Sequence, residues 1–185
     1  MSNYTKDWFE VRGLKTWDKL LEGRDIKTAL EVGCYEGRAS VFLLEKFPEL
    51  YLVALDIFYD DVTEAEDYAG YVPDYEKRFD ENTAPYKDRV EKIKSDSFYG
   101  LAMEIIEESQ YDLIYIDGDH RTFPALRDCM MAWDLLRPGG MMIIDDFDEI
   151  PEVNWVANTF ISVLPEGTYK EYTTEDGEQL VIERI

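Results

Sequence analysis

Cysteine and histidine are scarce in this 185-residue sequence, which contains two cysteines and one histidine. Cys34 and Cys129 are too few to form a disulfide framework, and their spacing does not fit a metal-binding motif. No apolar run approaches the roughly 20 residues of a membrane-spanning helix. The first residues also lack the basic start and apolar middle of a secretory signal peptide. We therefore expect reduced cysteines, a cytoplasmic location and no membrane partner.

Basic residues are also few, since 19 lysines and arginines stand against 41 acidic residues and give a formal net charge of −22 at pH 7. A field of this sign repels the phosphate backbones of nucleic acids and anionic membranes, so we expect no nucleic-acid partner. The length suits one domain with its own core, and a single domain over residues 1–185 is predicted. The oligomeric state stays open, with a homodimer as one possibility.

Apolar runs of strand length alternate with segments of helical periodicity through most of the chain. The strands predicted from this alternation are Thr28–Gly33, Tyr51–Asp56, Val90–Ile93, Tyr111–Asp117 and Met141–Asp145. The predicted helices are Arg38–Lys46, Ser97–Glu108, Thr122–Leu136 and Pro151–Val163. This order is typical of a parallel sheet with helices on both faces. Residues 168–174 and 178–185 are then predicted to form a hairpin around Asp176 and Gly177.

Acidic residues end or follow every predicted parallel strand. They are Glu31, Asp56, Asp96, Asp117 and the pair Asp145 and Asp146. Ligands of open parallel sheets bind outside the carboxyl ends of the strands. Any one of these residues could simply cap the helix that follows it, but the whole set favours a ligand site. Gly33 and Gly37 support that interpretation, because a turn without side chains lets a bulky cofactor approach the backbone.

The segments LEVGCYEGRAS, LVALD, SDSF, YIDGDH and MMIIDDF follow one another between residues 28 and 147. Together they resemble the class I S-adenosylmethionine-dependent methyltransferases, and within them the small O-methyltransferase-like proteins. The resemblance implies a Rossmann-like α/β fold with the sheet order 3-2-1-4-5-7-6 and an antiparallel C-terminal hairpin. It also implies S-adenosylmethionine as the cofactor. A dehydrogenase fingerprint does not fit, because position 35 is Tyr where that motif needs glycine.

The resemblance also implies cofactor roles for residues at the strand ends. The first motif would face the methionine part of the cofactor through Glu31, Gly33, Cys34, Tyr35, Gly37 and Ser40. Asp56 would accept both ribose hydroxyls, which a carboxylate can do. Asp96 and Ser97 would hold the edge of the adenine ring, and Ile57 and Phe58 would cover its face. Each residue also has a packing explanation, which is strongest for Ile57 and Phe58.

In metal-dependent relatives, residues at the ends of the fourth and fifth strands hold a divalent cation. The matching residues are Asp117, Asp145 and Asp146, whose oxygen ligands suit Mg²⁺. Alternatively, Asp117 braces the cofactor and the other two cap the following loop. His120 stands where those relatives carry a catalytic lysine, so it is the predicted general base, with Asp117 as its catalytic neighbour. His120 could instead fix the loop through a hydrogen bond.

The function implied by the resemblance is methyl transfer from S-adenosylmethionine to a small hydroxylated molecule. Two aromatic-rich segments are predicted to select this acceptor, an N-terminal cap over residues 1–27 and a lid over residues 57–88. The same aromatic residues could equally pack on the sheet. Two other functions stay open at this point: a protein that binds S-adenosylmethionine without transfer activity, and an enzyme that cleaves it.

Overall fold

A seven-stranded sheet forms the centre of the computed structural model, which describes residues 4–6, 9, 16–59 and 74–185. The strands are β1 (Thr28–Val32), β2 (Tyr51–Asp56), β3 (Val90–Lys94), β4 (Tyr111–Ile116), β5 (Leu136–Ile144), β6 (Tyr169–Thr173) and β7 (Leu180–Arg184). Their order is β3-β2-β1-β4-β5-β7-β6. The first five in that order are parallel, whereas β7 runs antiparallel to β5 and β6. The predicted fold class, sheet order and C-terminal hairpin are therefore confirmed.

Helices cover both faces of this sheet. They are α1 (Arg38–Lys46), α2 (Tyr75–Thr83), α3 (Ser97–Ile106), α4 (Thr122–Leu135) and α5 (Pro151–Val163), with a 3-10 helix at Ala84–Arg89. α4 packs between α3 and α5 over a core cluster that includes Leu30 and Val32. α1 and the helical residues 16–20 cover the opposite cluster, which includes Ala29. β1 supplies both cores because successive side chains of a strand point to opposite faces. None of the helices described is long and apolar enough to span a bilayer.

Two parts of the fold differ from the sequence prediction. β5 begins at Leu136 rather than Met141, and the pairing of β4 with β5 shifts register between Tyr111 and Leu113. This added stretch contains Pro138. Proline has no N–H to donate to a neighbouring strand, so its presence argued against a strand at this position. Helix α2 was not predicted, because its buried residues include two polar ones and its apolar periodicity is therefore weak.

The carboxyl ends of β1 and β4 touch at Gly33. The Gly33 N–H donates to the Leu55 carbonyl at 2.9 Å, and the Asp117 N–H donates to the Val32 carbonyl at 2.8 Å. Gly33 has a φ of +87°, and a Cβ built on it would lie 2.0 Å from the Asp117 carbonyl oxygen. Only glycine satisfies both the left-handed backbone and this close approach. The turns after β1 and β4 are thus fixed against each other at one edge of the sheet.

Comparing Gly33→Ala with Gly177→Ala tests this contact. Gly177 has a similar φ of +82°, but an added Cβ would meet no atom within 4 Å. We expect Gly177→Ala to reduce the free energy of unfolding by about 1 kcal/mol, the cost of a left-handed alanine. Gly33→Ala should cost about 3 kcal/mol or more, because the backbone must also move. Urea unfolding measures both values, and equal losses would contradict the importance of the contact.

Candidate functional site

Two cavities open at the carboxyl ends of the parallel strands, and Gly33 lines both. The large cavity, of about 210 Å³, lies between the ends of β1 and β2, the loop after β3 and the turn after β4. The small cavity, of about 60 Å³, lies between the turn after β1, the start of α1 and the N-terminal residues Tyr4, Lys6 and Phe9. Gly33 is therefore the residue that the two cavities share.

Five of the predicted cofactor residues come together in the large cavity: Gly33, Asp56, Ile57, Asp96 and Ser97. Ile57 is 39% exposed, so its side chain is accessible to a flat apolar ligand. Asp96 also caps α3, because its Oδ1 accepts a hydrogen bond from the Phe98 N–H at 2.9 Å. The large cavity therefore combines an apolar wall with carboxylate and hydroxyl groups.

Asp56 is buried and joins the turns that follow β1 and β2. Its Oδ2 accepts from the N–H groups of Cys34 and Tyr35 at 2.8 and 2.9 Å, and its Oδ1 accepts from the Phe58 N–H at 2.9 Å. The Tyr75 hydroxyl donates to Oδ1 at a longer 3.4 Å. Burial raises the pKa of Asp56, while the backbone donors oppose that shift. Since a carboxylate offers about four acceptor sites, a ligand hydroxyl would bind here by replacing Tyr75.

Glu31 is buried beside the small cavity, where the Ser40 hydroxyl donates to its carboxylate. Burial raises the pKa of Glu31 to about 8, the Ser40 bond lowers it, and the negative charges of Asp117 and Asp56 add to the rise. Ser40 does not line the small cavity itself, but its hydrogen bond holds the Glu31 carboxylate that does. A cationic ligand group next to Glu31 would favour the ionised carboxylate.

Gly37 and Phe58 line neither cavity and instead pack against α2. Phe58 is fully buried, with its ring centroid 5.1 Å from that of Phe79. Gly37 has a φ of +77°, and a Cβ there would lie 2.9 Å from the Phe79 ring. A cofactor role for these two residues stays a prediction, and packing against Phe79 is their observed role.

Three side chains meet at the ends of β4 and β5: Asp117, His120 and Asp146. Their candidate metal-ligand atoms all lie within 4.8 Å of one another. His120 Nε2 is 3.1 Å from Asp146 Oδ2 and 3.7 Å from Asp117 Oδ1. We call these residues the Asp–His cluster. It contains two of the predicted metal ligands together with the predicted general base.

Asp145, the remaining predicted metal ligand, is bound by Gln179. The Gln179 amide donates to Asp145 Oδ1 at 2.5 Å and accepts from the Trp17 indole N–H at 2.6 Å. Burial raises the pKa of Asp145, and the charge of Asp146 adds to this shift. The network ties the end of β5 to the residue before β7 and to the helical residues 16–20. Asp145 thus holds a structural position next to the Asp–His cluster.

The Asp–His cluster has a negative electrostatic potential, because the carboxylates of Asp117, Asp145 and Asp146 lie close together. Burial raises the pKa of Asp117 to about 7, the charge of Asp145 adds to the rise, and His120 opposes it. Burial lowers the pKa of His120, but the neighbouring carboxylates of Asp117, Asp146 and Asp145 outweigh burial and raise that pKa above 6.5. The site therefore favours a proton or another cation. Two carboxylates and an imidazole suit divalent ions that accept both oxygen and nitrogen ligands.

The sequence analysis missed three residues that hydrogen-bond to predicted site residues from other helices and loops, namely Arg127, Gln179 and Tyr75. Arg127 of α4 lines the large cavity and donates to the Ser97 hydroxyl at 2.8 Å and to Asp128 at 3.1 Å. An Arg-Asp pair within a largely apolar helix was a visible signal for this buried contact. Gln179 and Tyr75 gave no such signal, because their partners come from distant parts of the chain.

Parts of the predicted cap and lid lie outside the described residues, namely 1–3, 7, 8, 10–15 and 60–73. In the described part, Trp17 is fully buried and Phe9 contacts its ring edge-on at 4.9 Å. Tyr75 and Phe79 are buried as well. These aromatic residues pack in the core, and a selective cap or lid stays a prediction, as does the single domain over residues 1–185.

The raised pKa of Glu31 predicts a pH dependence of stability. Between its ordinary value of 4.5 and about 8, the folded chain holds a proton that the unfolded chain has lost. The free energy of unfolding should therefore fall as pH rises through this window, by at most about 1.4 kcal/mol per pH unit. Glu31→Gln should flatten the fall, because the amide resembles the protonated acid.

Urea unfolding between about pH 5.5 and pH 8 measures this slope. Glu49→Gln is the matched control, since the Glu49 side chain is 76% exposed and should leave the slope unchanged. An identical slope in wild type and Glu31→Gln would contradict the assignment.

Comparison with known proteins agrees with this geometry. A family described as "Methyltransferase domain" matches residues 30–147. The uncharacterized protein R132 of Acanthamoeba polyphaga mimivirus is 22% identical over 160 residues, which cover 82% of this chain and 67% of the viral protein. An O-methyltransferase from Bacillus cereus, solved in complex with SAH, superimposes with a TM-score of 0.65 at 17% identity, covering 89% of this chain and 76% of that one.

A candidate caffeoyl-CoA O-methyltransferase from Staphylococcus aureus superimposes with a TM-score of 0.66 at 16% identity, over 91% of this chain and 80% of that one. At these identities the two solved structures establish the fold, and the family match establishes the membership. The chain therefore belongs to the methyltransferase-domain family and is a class I S-adenosylmethionine-dependent methyltransferase with O-methyltransferase-like structural neighbours.

Proposed function

We propose that this methyltransferase transfers a methyl group from S-adenosylmethionine to a hydroxyl oxygen of a small molecule. The observation that carries the proposal is the position of Asp117, which lines the small cavity and belongs to the Asp–His cluster. Groups that can bind or deprotonate a hydroxyl therefore lie beside the paired cavities. The solved O-methyltransferases of this fold and the net charge of −22 favour a small acceptor over a nucleic acid.

In this proposal, the adenosine part of the cofactor occupies the large cavity. Ile57 covers one face of the adenine, while Asp96 and Ser97 meet its edge. One ribose hydroxyl binds Asp56, where it replaces the Tyr75 hydroxyl, the most distant of the four donors to this carboxylate. The methionine part then crosses Gly33 into the small cavity, which brings the reactive sulfonium towards Asp117.

His120 prepares the acceptor in the metal-free form of the proposal. A hydroxyl at the cluster gives its proton to the other imidazole nitrogen, Nδ1, and Asp146, whose Oδ2 is 3.1 Å from Nε2, stabilises the resulting imidazolium. Methyl transfer is an in-line displacement, so the remaining task of the protein is to align the oxygen, methyl and sulfur in a shielded site.

The Asp–His cluster also fits a divalent cation, with Asp117, His120 and Asp146 as its ligands. Ligand atoms within 4.8 Å of one another match the spacing around a single ion. A bound cation would lower the pKa of an acceptor hydroxyl. Mg²⁺ prefers oxygen ligands, whereas an imidazole adds affinity for Mn²⁺ or Zn²⁺. In this form His120 would be a ligand, and a bound cation would supply the charge that activates the hydroxyl.

Cofactor binding and turnover test the function. We expect the wild-type chain to bind S-adenosylmethionine and S-adenosylhomocysteine in calorimetry, and to form S-adenosylhomocysteine only with an acceptor such as a vicinal aromatic diol. Breakdown of S-adenosylmethionine without an acceptor would favour a cleaving enzyme. Binding with no transfer to any hydroxylated acceptor would favour a binding protein, and absence of binding would contradict the proposal.

Thermal melts with Mn²⁺ or Mg²⁺, and with EDTA as the reference, test the cation site. At about 100 times its dissociation constant, an ion should raise the melting temperature by roughly 5 °C. His120→Ala and Asp146→Asn should abolish this rise, because each loses a ligand. Asp145→Asn is the matched control and should keep the rise, because residue 145 is bound by Gln179.

Two results would change the assignment. A rise that survives His120→Ala but not Asp145→Asn would favour the ligand set Asp117, Asp145 and Asp146. No rise in the wild type would contradict a cation and leave His120 as the general base, in which case His120→Ala should abolish turnover and preserve cofactor affinity.

A further inference from the structure

The outer surface of the neighbouring helices α3 and α4 is apolar. Six large side chains on this surface are each between 42% and 76% exposed. They are Phe98, Tyr99, Met103 and Ile106 of α3 and Phe123 and Met130 of α4. We call these residues the α3–α4 patch. Apolar side chains grouped in this way on a protein surface mark an interaction site.

The patch is continuous across the two helices. On α3, Tyr99, Met103 and Ile106 are separated by four and three residues, so they lie on one side of the helix. The rings of Phe98 and Tyr99 meet edge-on, with 5.2 Å between their centroids. Arg127 connects the helices, because its guanidinium carbon lies 5.3 Å from the centroid of the Phe98 ring.

The patch carries little charge although the chain is strongly acidic. Among the ten residues of α3 only Glu104 is charged, and it is buried. Arg127 is paired with Asp128, with 3.1 Å between the guanidinium nitrogen and the carboxylate oxygen. The formal net charge of −22 makes two copies of the chain repel each other. The patch is therefore a surface on which two copies can meet with little repulsion.

The area of the patch is close to that of a stable interface. A large side chain has a surface of roughly 200 Å², and the six side chains are on average about three fifths exposed. Together they present roughly 700 Å² of largely apolar surface, whereas the largest such patch on a monomer is usually about 300–600 Å². A standard interface buries about 800 Å² of each partner. The patch and its polar rim reach this size.

We propose that the α3–α4 patch packs against the same patch of a second copy of this chain and forms a two-fold dimer. In a two-fold interface the same surface serves both copies, so one apolar patch is sufficient. Exposed acidic residues lie at the carboxyl ends of the two helices, namely Glu107 and Glu108 after α3 and Asp134 in α4. An antiparallel arrangement of the helices keeps the acidic ends of the two copies apart.

The dimer adjoins the large cavity. Phe98 directly follows Ser97, and Phe123 directly precedes Pro124, and both Ser97 and Pro124 line that cavity. The six patch residues, all of them described in the structure, lie outside the linings of both cavities. The second copy therefore packs next to the cavity wall, and the dimer is independent of the proposed function.

Tyr99→Glu and Phe123→Glu test this interface. Tyr99 is 67% exposed and Phe123 is 76% exposed, and each lies in the first turn of its helix. A carboxylate at that position interacts favourably with the helix dipole, so both variants should fold. The full wild-type chain should sediment as a dimer at micromolar concentration. Each variant should raise the dimer dissociation constant at least about tenfold, because every dimer would bury two new carboxylates.

Val163→Glu is the charge-matched control. Val163 is 62% exposed on α5, which packs on the other side of α4 from α3, so the dissociation constant should stay unchanged. Added NaCl should strengthen the wild-type dimer, because salt screens the repulsion between two acidic copies and leaves the apolar contact intact. Sedimentation velocity between about 1 and 100 µM measures these changes.

Three results would overturn the inference. The first is a wild-type chain that stays monomeric up to about 100 µM. The second is a dimer that both Tyr99→Glu and Phe123→Glu leave intact, because its interface would lie elsewhere. The third is equal weakening by Val163→Glu, which would be a general effect of added charge. If circular dichroism shows that one of the two patch variants is unfolded, the other variant decides the result.

Discussion

The contact between the turns after β1 and β4 is the constraint on which the rest of the site depends. β1 and β4 are adjacent parallel strands, so their carboxyl ends reach the same edge of the sheet. Gly33 allows the first turn to lie against the Asp117 carbonyl, and it also lines both the large and the small cavity. A side chain at position 33 would force these two turns apart and so move the walls of both cavities.

The same edge of the sheet brings several buried or partly buried carboxylates together. Glu31, Asp56 and Asp117 are brought near one another, and burial raises the pKa of each. Such crowding is unfavourable without a compensating positive charge. Serine and backbone donors relieve part of it inside the protein. A cationic ligand group in the small cavity and a proton or metal ion in the Asp–His cluster would relieve the rest, so the electrostatics of these carboxylates favour positively charged ligands.

The sequence located the strand ends well, because parallel strands buried on both faces give short continuous apolar runs that end in polar residues. It placed Asp56 and Asp96 at the edge where the large cavity lies. It did not separate residues that line a cavity from neighbours that pack behind it: Ile57 is in the cavity wall, whereas Phe58 lies in the core. Adjacent residues in a turn can point in opposite directions, and the direction depends on backbone dihedrals such as the positive φ of Phe58.

The sequence by itself determined the alternation of strands and helices, the glycine turn and the series of acidic strand ends, because hydrophobic period and turn chemistry are local properties. Only the tertiary structure decided which acidic groups share a site. In the folded chain Asp145 is hydrogen-bonded to Gln179, and His120 lies beside Asp117 and Asp146. Lys6 lines the same cavity as Arg38. These pairings join residues far apart in the chain, and they depend on side-chain direction and strand adjacency, which no local pattern encodes.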